Sequence, residues 1–225
     1  MSKQQDESRR AFLVGAATSA GAVAAAALVS DAHAQSQDQL ASGALPLPAG
    51  AKHGAFFNDE EAATVAAFAE RIMPGAPGKP GARDANVLNY IDLALAGAYA
   101  DLQEFYRHGL AALEAHSRKT YNQSFVQLSP ARQDEVITAL EEGKAPSFTW
   151  PSARNFFETM RTHTMEGMFA DPIYGGNKDF AGWNLVGFPG VQLTFTQADL
   201  QSKQAFSRAP MTGLQAKAKA PARRT

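Results

Sequence analysis

The 225-residue sequence predicts an all-α fold: a compact bundle of four to six helices, with an ordered, non-helical segment rich in glycine and aromatic residues near its C-terminal end. Three observations carry that expectation. Apolar residues recur at three-and-four spacing through much of the chain between Phe57 and Phe169. No run of β-branched residues alternates with period two over a strand's length. Residues that start and stop helices stand where the periodic stretches begin and end.

Composition narrows the function before any motif is read. The chain carries 21 basic and 22 acidic side chains, a balance that argues against nucleic acid as a main partner. It has no cysteine, which excludes disulfides, thiolate zinc sites, cysteine-ligated iron–sulfur clusters and haem attached through CxxCH. A chain of this length buries roughly 70% of its unfolded surface and folds without such staples.

Residues 1–34 read as an address rather than as part of the bundle. Ser8-Arg9-Arg10-Ala11-Phe12-Leu13 puts an arginine pair directly before an uncharged run, Ala11 to Ser30, rich in small residues. Ala32-His33-Ala34 follows, a small-x-small ending of the kind cleaved by signal peptidase. The order resembles a twin-arginine export signal, with Val14 in place of the usual basic residue after the leucine. Ser8, Arg9, Arg10, Phe12, Leu13, Ala32 and Ala34 are the targeting residues, and the expected destination is the periplasm through the twin-arginine translocase. An uncleaved anchor and a buried helix are the alternatives. The abundance of Ala and Gly gives weak insertion energy and disfavours the first.

Residues 35–55, rich in Gln, Ala, Pro and Gly, are expected to form a flexible or wrapping arm. Domain 56–190 then opens with Asn58 as N-cap and Glu61 as its capping-box partner; Val65, Phe68 and Ile72 make a buried stripe, and Pro74 ends the helix. Gly75 to Gly81 is a rigid, irregular loop that lacks both the preceding strand and the GK[ST] ending of a phosphate cradle. From Asp84 to Lys119 comes the longest periodic stretch, with Gly97 as a kink or break. Ser129-Pro130 starts a further helix as N-cap and N1, with Val136, Ile137 and Leu140 inward and Gly143 as its stop. Pro151-Ser152 opens the last long one, carrying Phe156, Phe157, Met160 and Met168. Residues 170–190 change character, and beyond Gly190 a tail, 191–225, carries Lys203, Arg208, Lys217, Lys219, Arg223 and Arg224 against Asp199 alone. Its Ala/Lys/Pro/Arg ending reads as disordered.

Candidate chemistry is sparse. Glu104 and His108 stand four apart on one helix but lack a third and fourth metal ligand, so an exposed i,i+4 pair is expected. His163, one turn past Met160 and near Glu166, is expected to be a satisfied, half-buried histidine rather than a general base. Asp92 and Asp101 are expected to face solvent. No GxSxG, S-x-x-K or GxGxxG occurs, so familiar nucleophile contexts and a Rossmann dinucleotide site are absent. No catalytic, cofactor-binding or metal residue is assigned. What stands out is Asp171-Pro172-Ile173-Tyr174-Gly175-Gly176-Asn177, followed by Gly182-Trp183 and Gly187-Phe188-Pro189-Gly190. Two readings apply together: a self-packing cap over the bundle end, and an anchor for a partner protein through Tyr174, Gly175, Gly176, Asn177, Trp183 and Phe188.

These features resemble the small-subunit (subunit 3) family of membrane-bound gluconate 2-dehydrogenase and related sugar and polyol dehydrogenases. The resemblance rests on the twin-arginine signal, on Phe56-Phe57…Glu61…Ile72-Met73-Pro74 and on Pro80-Gly81-Ala82…Tyr90-Ile91-Asp92. Its most specific part is the run Phe156-Phe157…Thr164-Met165-Glu166-Gly167-Met168-Phe169…Asp171-Pro172 onward to Gly190. The resemblance implies a complex in which a flavoprotein large subunit holding FAD oxidises a sugar or sugar acid. A multihaem cytochrome c, holding haem c, takes the electrons. The small subunit itself holds no cofactor; it scaffolds the flavoprotein and escorts it through twin-arginine export. The alternatives are a free-standing periplasmic helical scaffold, and a helical enzyme using His163/Glu166 or Glu104/His108.

Overall fold

Asn58 caps the first helix as its sequence predicts. Its side chain accepts from the Glu61 backbone N–H at 2.9 Å while the Glu61 carboxylate accepts from the Asn58 N–H at 3.1 Å, a complete capping box. This helix, α1, spans Asp59–Ile72 and buries Val65 and Phe68, with Met73 as its C-cap before Pro74. The computed structural model to which it belongs describes residues 53–191, 196–204 and 210, all within the unit 38–225. The targeting residues Ser8, Arg9, Arg10, Phe12, Leu13, Ala32 and Ala34 lie outside the described residues, as do the arm up to residue 52 and most of the tail.

The loop after α1 is held by carboxylates. Glu70 accepts from the N–H groups of Gly75 and Arg83, and Asp84 accepts from Gly81. The chain doubles back so closely that a Cβ at Gly81 would lie 2.2 Å from the Gly75 nitrogen, so only glycine fits. Helix α2, Val87–Leu95, follows Asn86 in the left-handed region. The break expected at Gly97 is present: a turn and a 3-10 segment, Ala100–Leu102, separate α2 from α3, Gln103–Tyr121. A second 3-10 turn, Phe125–Gln127, leads to α4, Pro130–Glu141. Ser129 occupies the N-cap with extended backbone, but its hydroxyl makes no cap bond; the start relies on Pro130 at N1. Gly143, at φ +71°, follows the end of α4. Ser152 caps α5, Ala153–Phe169, by accepting from the Asn155 N–H.

Helix α5 is the centre of the bundle and packs against α1, α2, α3, α4 and the short α6, Ala181–Val186. Phe156 on α5 lies so close to α3 that a Cβ at Gly109 would come within 2.2 Å of its ring. Phe57, Phe68, Tyr106, Phe125 and Phe156 are all essentially buried, and each large apolar side chain removed from water contributes about 1.5–3 kcal/mol. Arg71 forks onto Asp134 at 2.7 and 2.8 Å, tying α1 to α4. Five helices have nine residues or more; α6 and α7, Gln197–Gln201, are short. Among the described residues there is no strand, and no helix is long and apolar enough to cross a membrane.

The arrangement corrects one expectation in full. Asp92 does not face solvent: it is 1% exposed, on the inner face of α2. Its carboxylate accepts from the backbone N–H groups of Ala55, Phe56 and Phe57 at 2.9, 3.0 and 2.8 Å. Those donors belong to the bent segment that leads into α1. Periodicity along α2 reveals which residues share a face, not what a distant stretch of backbone brings to it.

Candidate functional site

The glycine- and aromatic-rich segment 170–190 is ordered but not non-helical as expected: its short stretches between glycines form two 3-10 turns, Pro172–Tyr174 and Lys178–Phe180, besides α6. Asp171 starts it by accepting from the Ile173 N–H. Gly175 takes φ +95°, and its carbonyl accepts from Asn89 Nδ2 at 2.8 Å; a Cβ there would sit 2.5 Å from that nitrogen. Gly176 passes so near α5 that a Cβ would lie 2.2 Å from the Gly167 carbonyl oxygen. The glycine pair therefore serves two ends, a positive φ and a close approach.

Asn177 is the hub of the segment and is 0% exposed. Its backbone sits in the left-handed region, which asparagine tolerates better than most residues. Its N–H donates to Gly167 O at 2.7 Å and its Nδ2 to Ala170 O at 2.8 Å, while its Oδ1 accepts from Gly182 N–H at 2.9 Å. Trp183 Nε1 donates to Phe169 O at 2.7 Å. The carbonyls at the end of α5, which no intrahelical donor can reach, thus receive side-chain and loop donors. Trp183 is buried between Phe180 and Phe188, with ring centroids 5.6 and 5.0 Å away. Of the six residues expected to meet a partner, Gly176, Asn177 and Trp183 are turned inward and Gly175 is half-buried. Tyr174 and Phe188 present their rings outward, at 48% and 44% exposure.

Beside this loop runs a groove of about 370 Å³, walled by Tyr90, Leu93 and Ala94 of α2, Ala98 and Tyr99 of the following turn, and Ala170 and Tyr174 of the loop. Half-buried Glu166 on α5 holds two of these walls: Tyr90 Oη donates to Glu166 Oε2 at 3.0 Å and Tyr99 Oη donates to the same oxygen at 3.2 Å. Burial, reinforced by the neighbouring carboxylate, pushes both phenols above their ordinary pKa, so they remain protonated donors. Beneath them the Tyr99 ring stacks on His163, centroids 4.7 Å apart, and His163 Nδ1 pairs with Tyr106 Oη at 2.7 Å. Burial lowers the His163 pKa, with Glu166 opposing in part, and raises that of Tyr106.

The histidine reading of the sequence holds in that His163 has a partner, but the ring is buried, at 6% exposure, rather than half-buried, because Tyr99 and Tyr106 stack on it. His163 is satisfied by Tyr106, and Glu166, one turn away, is engaged by tyrosines rather than by His163. Glu104 and His108 form a 3.8 Å pair on the outer face, both side chains more than half exposed. No group of three or more metal-ligating side chains occurs among the described residues. Sequence reasoning missed the Tyr90–Tyr99–Glu166 cluster, whose two tyrosines lie 76 and 67 positions from the glutamate. The one available signal was the placement of Tyr90 among apolar residues of α2.

The family model for gluconate 2-dehydrogenase subunit 3 matches residues 59–190, more than half of the chain. The matched span runs from the start of α1 through the groove to the end of the glycine–aromatic loop. No curated protein and no solved structure matches the chain.

Proposed function

Because the chain belongs to the gluconate 2-dehydrogenase subunit 3 family, we propose that it is the small subunit of a periplasmic, membrane-associated, FAD-dependent dehydrogenase of sugars or sugar acids. In this reading the chain scaffolds the flavoprotein large subunit and escorts it, folded, through the twin-arginine translocase; Arg9 and Arg10 are the address. The large subunit holds the FAD and oxidises the sugar, and a multihaem cytochrome c passes the electrons on.

The family match over 59–190 carries the proposal. The side chains add support of their own kind. Of the groups that a helical enzyme would use, His163 pairs with Tyr106 and Glu166 accepts from Tyr90 and Tyr99, while Glu104 and His108 pair on the exposed face. The loop that follows α5 is braced from within by Asn177 and Trp183 and turns Tyr174 and Phe188 outward. A rigid frame displaying aromatic rings suits a docking surface, since little side-chain entropy is lost on contact.

Co-expression with the flavoprotein large subunit, followed by cell fractionation, tests this. With the wild-type leader, flavoprotein antigen and dye-linked dehydrogenase activity appear in the periplasmic and membrane fractions and co-purify with this chain. Arg9→Lys combined with Arg10→Lys leaves both proteins in the cytoplasm. Flavoprotein that still reaches the periplasm removes the escort role. Failure to co-purify favours a free-standing scaffold.

A further inference from the structure

Three tyrosines wall the groove beside the loop: Tyr90 on α2, Tyr99 on the turn after it and Tyr174 on the loop, together with Leu93, Ala94 and Ala98. The hydroxyls of Tyr90 and Tyr99 both donate to Glu166 Oε2, so these two side chains offer mainly their rings. The groove is open at its rim, where Leu93 and Tyr174 are both 48% exposed. At about 370 Å³ it stands at the small end of the roughly 300–1,000 Å³ range of ligand sites. Walls of rings and methyl groups suit an apolar occupant that brings few N–H groups in need of an acceptor.

The chain carries such a segment itself, in Leu45-Pro46-Leu47-Pro48. Proline has no N–H, holds φ near −65° and biases the residue before it towards extended backbone. Short proline-containing stretches of this kind dock in aromatic-lined grooves, because little chain entropy is left to lose. The point of attachment is near. Ala55, Phe56 and Phe57 donate to Asp92, which shares α2 with Tyr90, Leu93 and Ala94. Helical spacing puts Asp92 on the opposite side of α2 from those three, and the way round a helix about 10–12 Å across is roughly 15–20 Å. Leu47 stands eight residues before Ala55, up to about 26–29 Å of extended chain, and six before His53, about 20–22 Å. Held this close, the segment meets the groove at an effective concentration of order millimolar, which a free partner does not match.

We propose that this groove is the docking site of the chain's own segment 45–48, its leucines and prolines laid against the tyrosine rings. The bonds at Asp92 and this second contact strap the arm across both sides of α2. The inference concerns this chain alone and is independent of the subunit reading above.

Two measurements on the full chain test it. The chain has no cysteine, so disulfide trapping reads only the thiols introduced. Ala49→Cys with Ala98→Cys puts one thiol beside the segment and one in the groove wall. Ala49→Cys with Lys144→Cys, at an exposed position after α4, is the control pair. With oxidised glutathione the groove pair is expected to close within one chain at least about tenfold faster than the control, and Leu45→Ser with Leu47→Ser removes that advantage. The second measurement is calorimetric titration with a synthetic peptide of residues 40–52. The peptide is expected to bind the double-serine variant saturably and wild type, whose groove is taken, at least about tenfold more weakly. Leu93→Glu, checked for an unchanged melting temperature and added to the double-serine variant, abolishes peptide binding. Equal closure rates for the two cysteine pairs, or no saturable binding of the peptide to the double-serine variant, overturns the assignment. Groove-pair disulfides formed between chains mean that a second copy's arm fills the groove, which overturns docking within one chain. Shielding of the Ala98→Cys thiol from alkylation only when the flavoprotein is bound assigns the groove to that partner instead.

Discussion

Asp92 and Glu166 are two carboxylates used in opposite ways. Asp92 is buried and accepts three backbone N–H groups from residues 55–57. Glu166 is half-buried, engages two phenols through one oxygen, and leaves the other without a hydrogen-bond partner among the described residues. The first joins distant parts of the same chain; the second has capacity left over. The number of donors on a carboxylate, set against its burial, separates a structural group from one able to meet another molecule more reliably than its position on a helix does.

That contrast is open to direct challenge by substitution. Asp92→Ala strips the acceptor from three N–H groups and is expected to cost about 3 kcal/mol in a urea unfolding experiment. A loss below about 1 kcal/mol would mean that water replaces the carboxylate and that Asp92 is not a clasp. Asn177→Ala comes next, at about 2 kcal/mol, because it removes the bonds to Ala170 and Gly182 and puts alanine at φ +45°. Asn177→Gly relieves the backbone term and should recover about 1 kcal/mol of that loss, a difference that isolates conformation from hydrogen bonding. Glu166→Gln is expected to change stability least, by less than about 1 kcal/mol, since the amide oxygen still accepts from Tyr90 and Tyr99. A large loss there would erase the distinction between the two carboxylates.

How much was legible beforehand follows the distance between interacting residues. The Asn58–Glu61 capping box, the stop at Pro74, the break around Gly97 and the helix start at Pro151-Ser152 are local, three or four residues across, and the sequence states them. The reading of Glu104–His108 as an exposed pair needed only helical spacing, whereas the partner that satisfies His163, Tyr106, lies 57 positions away and was not legible. Asp92 defeated such reasoning because its donors come from bent loop backbone 35 to 37 positions upstream, where no side-chain pattern marks them. The glycine pair 175–176 was legible as a place of special backbone. The inward turn of Asn177 was not, because its left-handed conformation and its partners on α5 arise only once the loop folds back over the helix end. The groove was invisible for the same reason: α2, the turn after it and the loop meet only in three dimensions.

The three bonds at Asp92 have a mechanical side. They sit just ahead of α1, upstream of every helix among the described residues. A tug applied from the N-terminal end would be shared among three short bonds to one rigid acceptor before any of it reached Phe57 or Phe68. They would act as the strain relief on a cable, letting the chain be hauled by its front end while the body it tows keeps its shape.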